Sequence, residues 1–287
     1  ELILGATIVS FATTLPELTV SLVASIDGHT TMSLGNSIGS IICNTGLVLG
    51  LVAFISPFKV DKDMFFSKSV LLLISVVLLI IVGIDGSITK YDSIVLIIML
   101  GIYMFTNYKS VMGKSNRKLN NNRNNITKNF TKSKLSEVMK IGITFTIGLI
   151  MMVVGSKLLV DSGVEIAGFL GIPQGIVSLT VIALGTSLPE LVSSLTAIKK
   201  KHHAISVGNI LGANILNIVS VTAFSAIPND IPILSQNIRI DFPFMIGLLI
   251  ILILPTIKKN KLYRAQGILM LFTYIIYIVT LYFMYIV

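Results

Sequence analysis

Two carboxylic acids stand where carboxylic acids are costly. Glu17 and Glu190 each lie inside a long apolar run, in the settings Ala12-Thr13-Thr14-Leu15-Pro16-Glu17 and Gly185-Thr186-Ser187-Leu188-Pro189-Glu190. A carboxylate at the centre of a membrane helix costs about 2.5–3.5 kcal/mol on insertion scales, so an acid kept there points to a function. Its neighbours supply oxygens of other kinds. Residues three or four apart share a helix face, which sets Thr13 and Thr14 beside Glu17, and Thr186 and Ser187 beside Glu190. Pro16 and Pro189 have no N–H, so carbonyls near Ala12 and Gly185 lose their helical partners. Carboxylate, hydroxyl and carbonyl oxygens gathered at a broken helix suit hard cations. Ca²⁺ takes about six to eight oxygens and Na⁺ is accommodated, whereas Mg²⁺ gives up its water reluctantly. The plainer reading is a protonated Glu bonded to a neighbouring backbone group.

A second cluster accompanies each acid. Ser40 and Asn44 are four apart and share a face, and Ala213 and Asn217 occupy the corresponding places later in the chain. Asn inside a span is often glue between helices, but its recurrence beside each acid favours a place on a cavity wall. Gly35, Gly39, Gly208 and Gly212 have the spacing of close helix packing. His29, His202 and His203 fall in loops and read as solvated surface residues. No histidine pair suits a metal, and there is neither a nucleophile elbow nor a nucleotide loop, so the sequence reads as a non-enzyme without a cofactor.

The recurrence is systematic. Shifting the chain by 173 positions lays residues 5–44 on 178–217 without a gap, and Pro-Glu, Gly-Asn, Gly and Asn coincide. Apolar composition alone does not reproduce that spacing. The first hairpin loop, near Asp27–Thr30, falls among acids, and the second, Lys199–His203, among bases, so the two copies run in opposite directions through a bilayer. Inverted repeats with Pro- or Gly-broken spans are a mark of secondary transporters that hold their substrate near the midplane.

The elements that position these groups are membrane helices. Of 287 residues 54% are apolar and only 12% are charged, about half the usual charged fraction. Runs such as 71–82, 94–106 and 242–254 are almost free of polar side chains, and spans of about 20 such residues match the hydrocarbon thickness. Hydropathy and breakers place nine spans near 1–26, 31–55, 65–84, 91–107, 137–160, 173–198, 204–226, 239–256 and 264–286. Of the 22 Lys and Arg, 19 then fall on one side, which the positive-inside rule makes cytoplasmic. Lys68 belongs to that basic set, and Asp241 to the acidic set opposite. The net charge of +9 is thus topological and does not imply nucleic acid. Cys43 stands alone, so no intramolecular disulfide forms. The organisation expected is a first repeat over 1–107, a basic cytoplasmic linker over 108–136 that includes Asn120–Asn125, and a second repeat over 137–287. The second repeat has a span ahead of its motif and the first has none, so one further N-terminal helix is expected, making ten.

These motifs resemble the repeats of the cation/Ca²⁺ exchanger superfamily, in its prokaryotic, archaeal-type sodium/calcium exchanger branch. Gly185–Glu190 matches the second-repeat motif residue by residue. Ala12–Glu17 matches the first with Ala for Gly and Thr for Ser, and the segment from Gly35 to Asn44 resembles its partner. The resemblance implies an all-α, inverted-repeat transporter in the cell membrane, working as a monomeric unit with Na⁺ and Ca²⁺ as its substrates. It implies that Glu17 and Glu190 hold Ca²⁺ with the carbonyls of Thr13 and Thr186. It also implies that Na⁺ uses those acids with Ser10, Thr14, Ser40, Ala183 and Ser187, Asn44 and Asn217 lining the same cavity. Two positions depart from the family, which usually has Asp at Asn217 and Ser at Ala213; these put the Na⁺ count in question. An H⁺/Ca²⁺ antiporter of the same fold is the rival, although that branch usually has Gly-Asn before its Pro-Glu. A cation channel is the reading from another class.

Overall fold

The computed structural model describes residues 9–119, 134–200 and 202–285, with side chains outside 110–142, 145 and 203. Nine helices among these residues are long and apolar enough to cross a membrane. In chain order they are α1 (Val9–Ile26), α2 (Thr30–Ile55), α3 (Lys62–Val82), α4 (Lys90–Lys109), α5 (Thr146–Leu170), α6 (Gln174–Lys199), α7 (Ala204–Ser225), α8 (Asn237–Lys259) and α9 (Arg264–Tyr285). The protein is an all-α, multi-pass membrane protein.

Burial sorts the helices into a centre and a rim. Within their most apolar windows α7 is 89% and α2 78% buried, against 17% for α5. The exposed residues of α5 are themselves apolar, among them Ile147, Met151 and Leu158, as a lipid-facing helix requires. The two central helices carry the Gly-Asn segments, and glycine explains how closely other helices approach them. A Cβ on Gly39 would lie 2.6 Å from the Leu179 carbonyl oxygen and 2.8 Å from the Ala183 Cβ. A Cβ on Gly35 would lie 2.7 Å from the Gly175 carbonyl oxygen. The first repeat's α2 therefore packs backbone to backbone against the second repeat's α6.

Two short antiparallel pairs fasten the repeats to each other outside the helices. Strand β1 (Phe58–Lys59) pairs with β4 (Lys261–Leu262), and β2 (Ser87–Ile88) pairs with β3 (Ile231–Pro232). Each pair joins a loop of one repeat to a loop of the other, and β3 lies 173 residues after β1, the repeat's own register. Nothing in the short, unpatterned loops announced these strands.

Some expected boundaries move. The helix containing α5 runs from Lys134 to Leu170, so its apolar window lies about ten residues beyond the span expected at 137–160, and Asp161 and Glu165 are helical. Hydropathy took their polarity for a loop. On the helix Lys157 bridges Asp161 at 3.1 Å, one turn along, and Asp27 of the α1–α2 hairpin at 2.7 Å. The turn comes at Gly171, whose φ of +67° is the left-handed conformation that suits glycine. The helix containing α4 continues to Leu119, so the beginning of the expected linker is helical. Its remaining part through residue 133, with Asn120–Asn125, lies outside the described residues, as do residues 1–8 of the first span. His29 is not a free surface residue: it is half-buried, with Nδ1 2.9 Å from Gln174 Oε1.

Gly39→Ala should lower the melting temperature of the detergent-solubilised protein, because overpacking costs about 1–3 kcal/mol. Gly101→Ala, where nothing lies within 4 Å of the added carbon, serves as the control. Equal melting temperatures for the two variants would disprove the close approach of α2 and α6.

Candidate ion site

Each repeat breaks its helix in the same way. Thr14 has φ −84°, ψ −4° and Ser187 has φ −82°, ψ 0°, a nearly flat turn that interrupts the helix one residue before the Leu-Pro pair. The hydrogen bonds around the two breaks also coincide. Thr14 N donates to Ser10 O and Leu18 N to Thr14 O; Ser187 N donates to Ala183 O and Leu191 N to Ser187 O. The helices resume at Leu15 and Leu188 with Pro in the first turn, which suits a residue without N–H, and with Glu17 and Glu190 beside it. The amides of a first turn lack intrahelical acceptors and favour negative charge. The break therefore holds each acid at a favourable helix start deep in the molecule.

Both glutamates are fully buried, and their carboxylates are near enough for their charges to interact. None of the four carboxylate oxygens has a hydrogen-bond partner in the protein. Thr13 lies beside the Glu190 carboxylate, but its hydroxyl donates to Ser10 O at 3.3 Å. The amide nitrogen and oxygen of Asn44 and Asn217 and the hydroxyl of Ser187 are likewise buried without partners. An unsatisfied buried polar atom costs about 1–3 kcal/mol. So many of them at repeat-equivalent positions fit a ligand that accepts many oxygens, and a hard cation is such a ligand. Among the described residues no three His, Cys, Asp or Glu side chains form a metal group, so neutral oxygens must complete any coordination shell.

The remaining expected residues surround these groups. The Ser10 hydroxyl donates to Asn209 O at 3.0 Å, and the Thr14 hydroxyl to Ser10 O at 2.7 Å. Ser40 Oγ lies 3.4 Å from Thr186 Oγ1, and Thr186 also donates to Ala183 O at 3.3 Å. Ala213 is fully buried, and its methyl group stands where the first repeat has the Ser40 hydroxyl. The arrangement interleaves the repeats: Ser40 and Asn44 come from α2 and meet α6, while Ser10 comes from α1 and meets α7.

Several contributors escaped the sequence reading. Asn44–Leu49 and Asn217–Thr222 are π-helical, so both asparagines open a one-turn widening of their helices, a form frequent at functional sites. Asn36 is a brace: its amide donates to Glu17 O at 3.2 Å and to Ser21 Oγ at 3.0 Å, and its oxygen accepts from Thr186 at 3.1 Å. The repeat marked Asn36 as equivalent to Asn209, which could have singled it out. Two groups assigned to the basic and acidic faces are in fact buried, Lys68 on α3 and Asp241 on α8. Hydropathy placed them near span ends, and only packing shows that they point inward.

Comparison with known proteins agrees with this architecture. The chain matches the family described as "Sodium/calcium exchanger protein" over residues 1–109 and 140–283. An uncharacterised membrane protein of Methanocaldococcus jannaschii is 37% identical over 97% of this chain and 86% of its own length. The "Sodium/calcium exchanger MaX1" of Methanosarcina acetivorans is 27% identical over 99% of this chain and 89% of its length. A structure of the sodium-calcium exchanger NCX_Mj soaked with Na⁺ and Sr²⁺ superposes with a TM-score of 0.70 at 35% identity, over 97% of this chain and 86% of that one.

Glu17→Gln and Glu190→Gln should each abolish measurable Ca²⁺ binding in titration calorimetry while leaving the helical circular-dichroism spectrum unchanged. Gln keeps the size and one acceptor oxygen but not the charge. Ca²⁺ binding of wild-type strength in either variant would remove that glutamate from the site.

Proposed function

Because the chain belongs to the sodium/calcium exchanger protein family, we propose that it exchanges Na⁺ for Ca²⁺ across the membrane, both ions competing for Glu17 and Glu190. The observation that carries this reading is the pair of buried, partnerless carboxylates at equivalent places in two broken helices. Two negative charges balance one Ca²⁺. The remaining ligands are neutral: carbonyls freed at the breaks near Thr13, Thr186 and Ala183, hydroxyls of Ser10, Thr14, Ser40 and Ser187, and the amides of Asn44 and Asn217. Na⁺ drawn to the same carboxylates displaces Ca²⁺ by using the charge that Ca²⁺ requires. Shared ligands make the two occupancies exclusive, and exclusive occupancy is the rule of an antiporter.

Alternating access is the mechanism that this construction supports. The repeats are inverted and interlocked, so a rearrangement that opens the site toward one face can be mirrored to open it toward the other. A channel reading has less support, because a filter normally repeats around a pore by oligomerisation, whereas here both acids come from one chain. The relatives' names support Na⁺ and Ca²⁺ as the exchanged pair: one is a sodium/calcium exchanger, and structures of another were solved with Na⁺, Ca²⁺ or Sr²⁺. Asn217 is neutral and among the described residues no third acid joins the pair, so on this reading no charge remains for an additional monovalent ion and exchange needs no K⁺.

Reconstituted protein should take up ⁴⁵Ca²⁺ into Na⁺-loaded liposomes, and a pH gradient without Na⁺ should not drive uptake. Uptake driven by the pH gradient alone would replace this reading with H⁺/Ca²⁺ exchange.

Replacing K⁺ by choline on both sides should leave Na⁺-driven flux intact, and Asn217→Asp should change Na⁺ or Ca²⁺ affinity several-fold. Wild-type flux that fails without K⁺ would refute the two-acid site.

A further inference from the structure

Lys68 and Asp241 are 173 residues apart, the register of the repeat. They lie on corresponding helices, α3 and α8, which follow the corresponding strands β1 and β3. Because β1 and β3 belong to different strand pairs and the repeats are inverted, the two residues sit toward opposite faces of the molecule. Both are buried, Lys68 to 4% and Asp241 to 0% relative exposure. Equivalent positions thus carry opposite charges. Among the described residues neither forms an ion pair; the salt bridges are those of Lys157.

Each is held by specific polar partners. Lys68 Nζ donates to Gly208 O at 2.6 Å, on the central helix α7 that carries Asn217. Asp241 accepts from Asn237 Nδ2 at 2.8 Å, from Gln236 Nε2 at 3.2 Å and from the Tyr277 hydroxyl at 2.9 Å. The two amides cannot turn over without losing other bonds. Asn237 Oδ1 accepts from Leu234 N at 2.8 Å, and Gln236 Oε1 from the Tyr285 hydroxyl at 2.8 Å. Both NH₂ groups therefore face the carboxylate, and an NH₂ can only donate. This set of donors is complementary to an anion. Packing alone gives no reason for it, since buried charges are costly and an apolar side chain would fill either place.

We propose that Lys68 and Asp241 are a repeat-related pair of fixed charges that sets the cation affinity of the midplane site, the ammonium weakening it and the carboxylate strengthening it. They act through their field, without touching the ion, so they are positioning residues and not ligands. The inference rests on the reading of Glu17 and Glu190 as the cation site. Nine residues separate Gly208 from Asn217, about 13 Å at a rise of about 1.5 Å per residue. At about that distance and an effective dielectric constant of about 20, the Lys68 charge changes the binding of a monovalent ion about threefold to tenfold; for Asp241 the sign is opposite. The energy scales with ion charge, so the factor for Ca²⁺ is the square of the factor for Na⁺.

The test is calorimetric and flux-based affinity for Na⁺ and Ca²⁺ in wild type, Lys68→Met, Asp241→Asn and the double variant, with Lys68→Arg as the charge-retaining control. Lys68→Met should tighten both ions and Asp241→Asn should weaken both, in each case more for Ca²⁺ by the squared factor. The double variant should return toward wild type, and Lys68→Arg should stay there. If Lys68→Met does not fold, Lys68→Gln carries the same expectation. Shifts of the same sign in the two single variants, or equal factors for Na⁺ and Ca²⁺, would overturn the pair while leaving the site intact. Wild-type protein that binds neither ion would overturn the site, and the pair with it.

Discussion

Two carboxylates held deep in a hydrophobic molecule, with no well-formed hydrogen bond to any of their four oxygens, constrain everything around them. Desolvating an acid is expensive and desolvating two within reach of each other is more so. The chain does not relieve that cost with an arginine or a ring of amides, as it does for Asp241. Neutral oxygens surround them, and under the proposed function these would help to coordinate a cation. The helix breaks at Thr14 and Ser187, the π-helical turns at Asn44 and Asn217, and the interleaving of α2 with α6 all serve to bring these groups to one layer.

Holding such a layer in place requires that the repeats cannot separate. Glycines let α2 lie against α6 at backbone contact, while hydrogen bonds from Ser37 to Asn217 O at 2.6 Å and from Asn214 to Thr45 at 2.9 Å sew α2 to α7. The strand pairs do the same at the two loop layers. Buried serine and threonine hydroxyls recur here because each can satisfy a backbone carbonyl on a neighbouring helix where water is absent. The rim helices present apolar side chains outward.

The repeats are alike in backbone and unlike in detail. Ser40 has Ala213 as its counterpart, and Lys68 has Asp241. Asn36 is fully engaged, whereas Asn209 donates to Ser193 Oγ at 3.0 Å and has a buried oxygen without a partner. Inverted symmetry supplies the two-faced construction, and these differences supply the chemical polarity that a symmetric pore would lack.

What the sequence determined by itself was whatever depends on residue type and spacing. Glu17 and Glu190 stood out because an acid in an apolar run is rare, and the shift of 173 paired them because Pro, Gly and Asn recur only when a backbone needs them. Span number and class followed from hydropathy, since a bilayer accepts few alternatives to a helix of about 20 residues. Tertiary structure decided what depends on direction. Hydropathy averages over a window and cannot tell that Lys68 and Asp241 turn inward, or that Asp161 and Glu165 continue a helix braced by Lys157. The strand pairs arise from contacts between repeats, which no local pattern encodes, and no local pattern marks the π-helical turns either. The two acids come near each other only because glycine lets one repeat's helix press against the other's broken one, and that is a property of the packed pair.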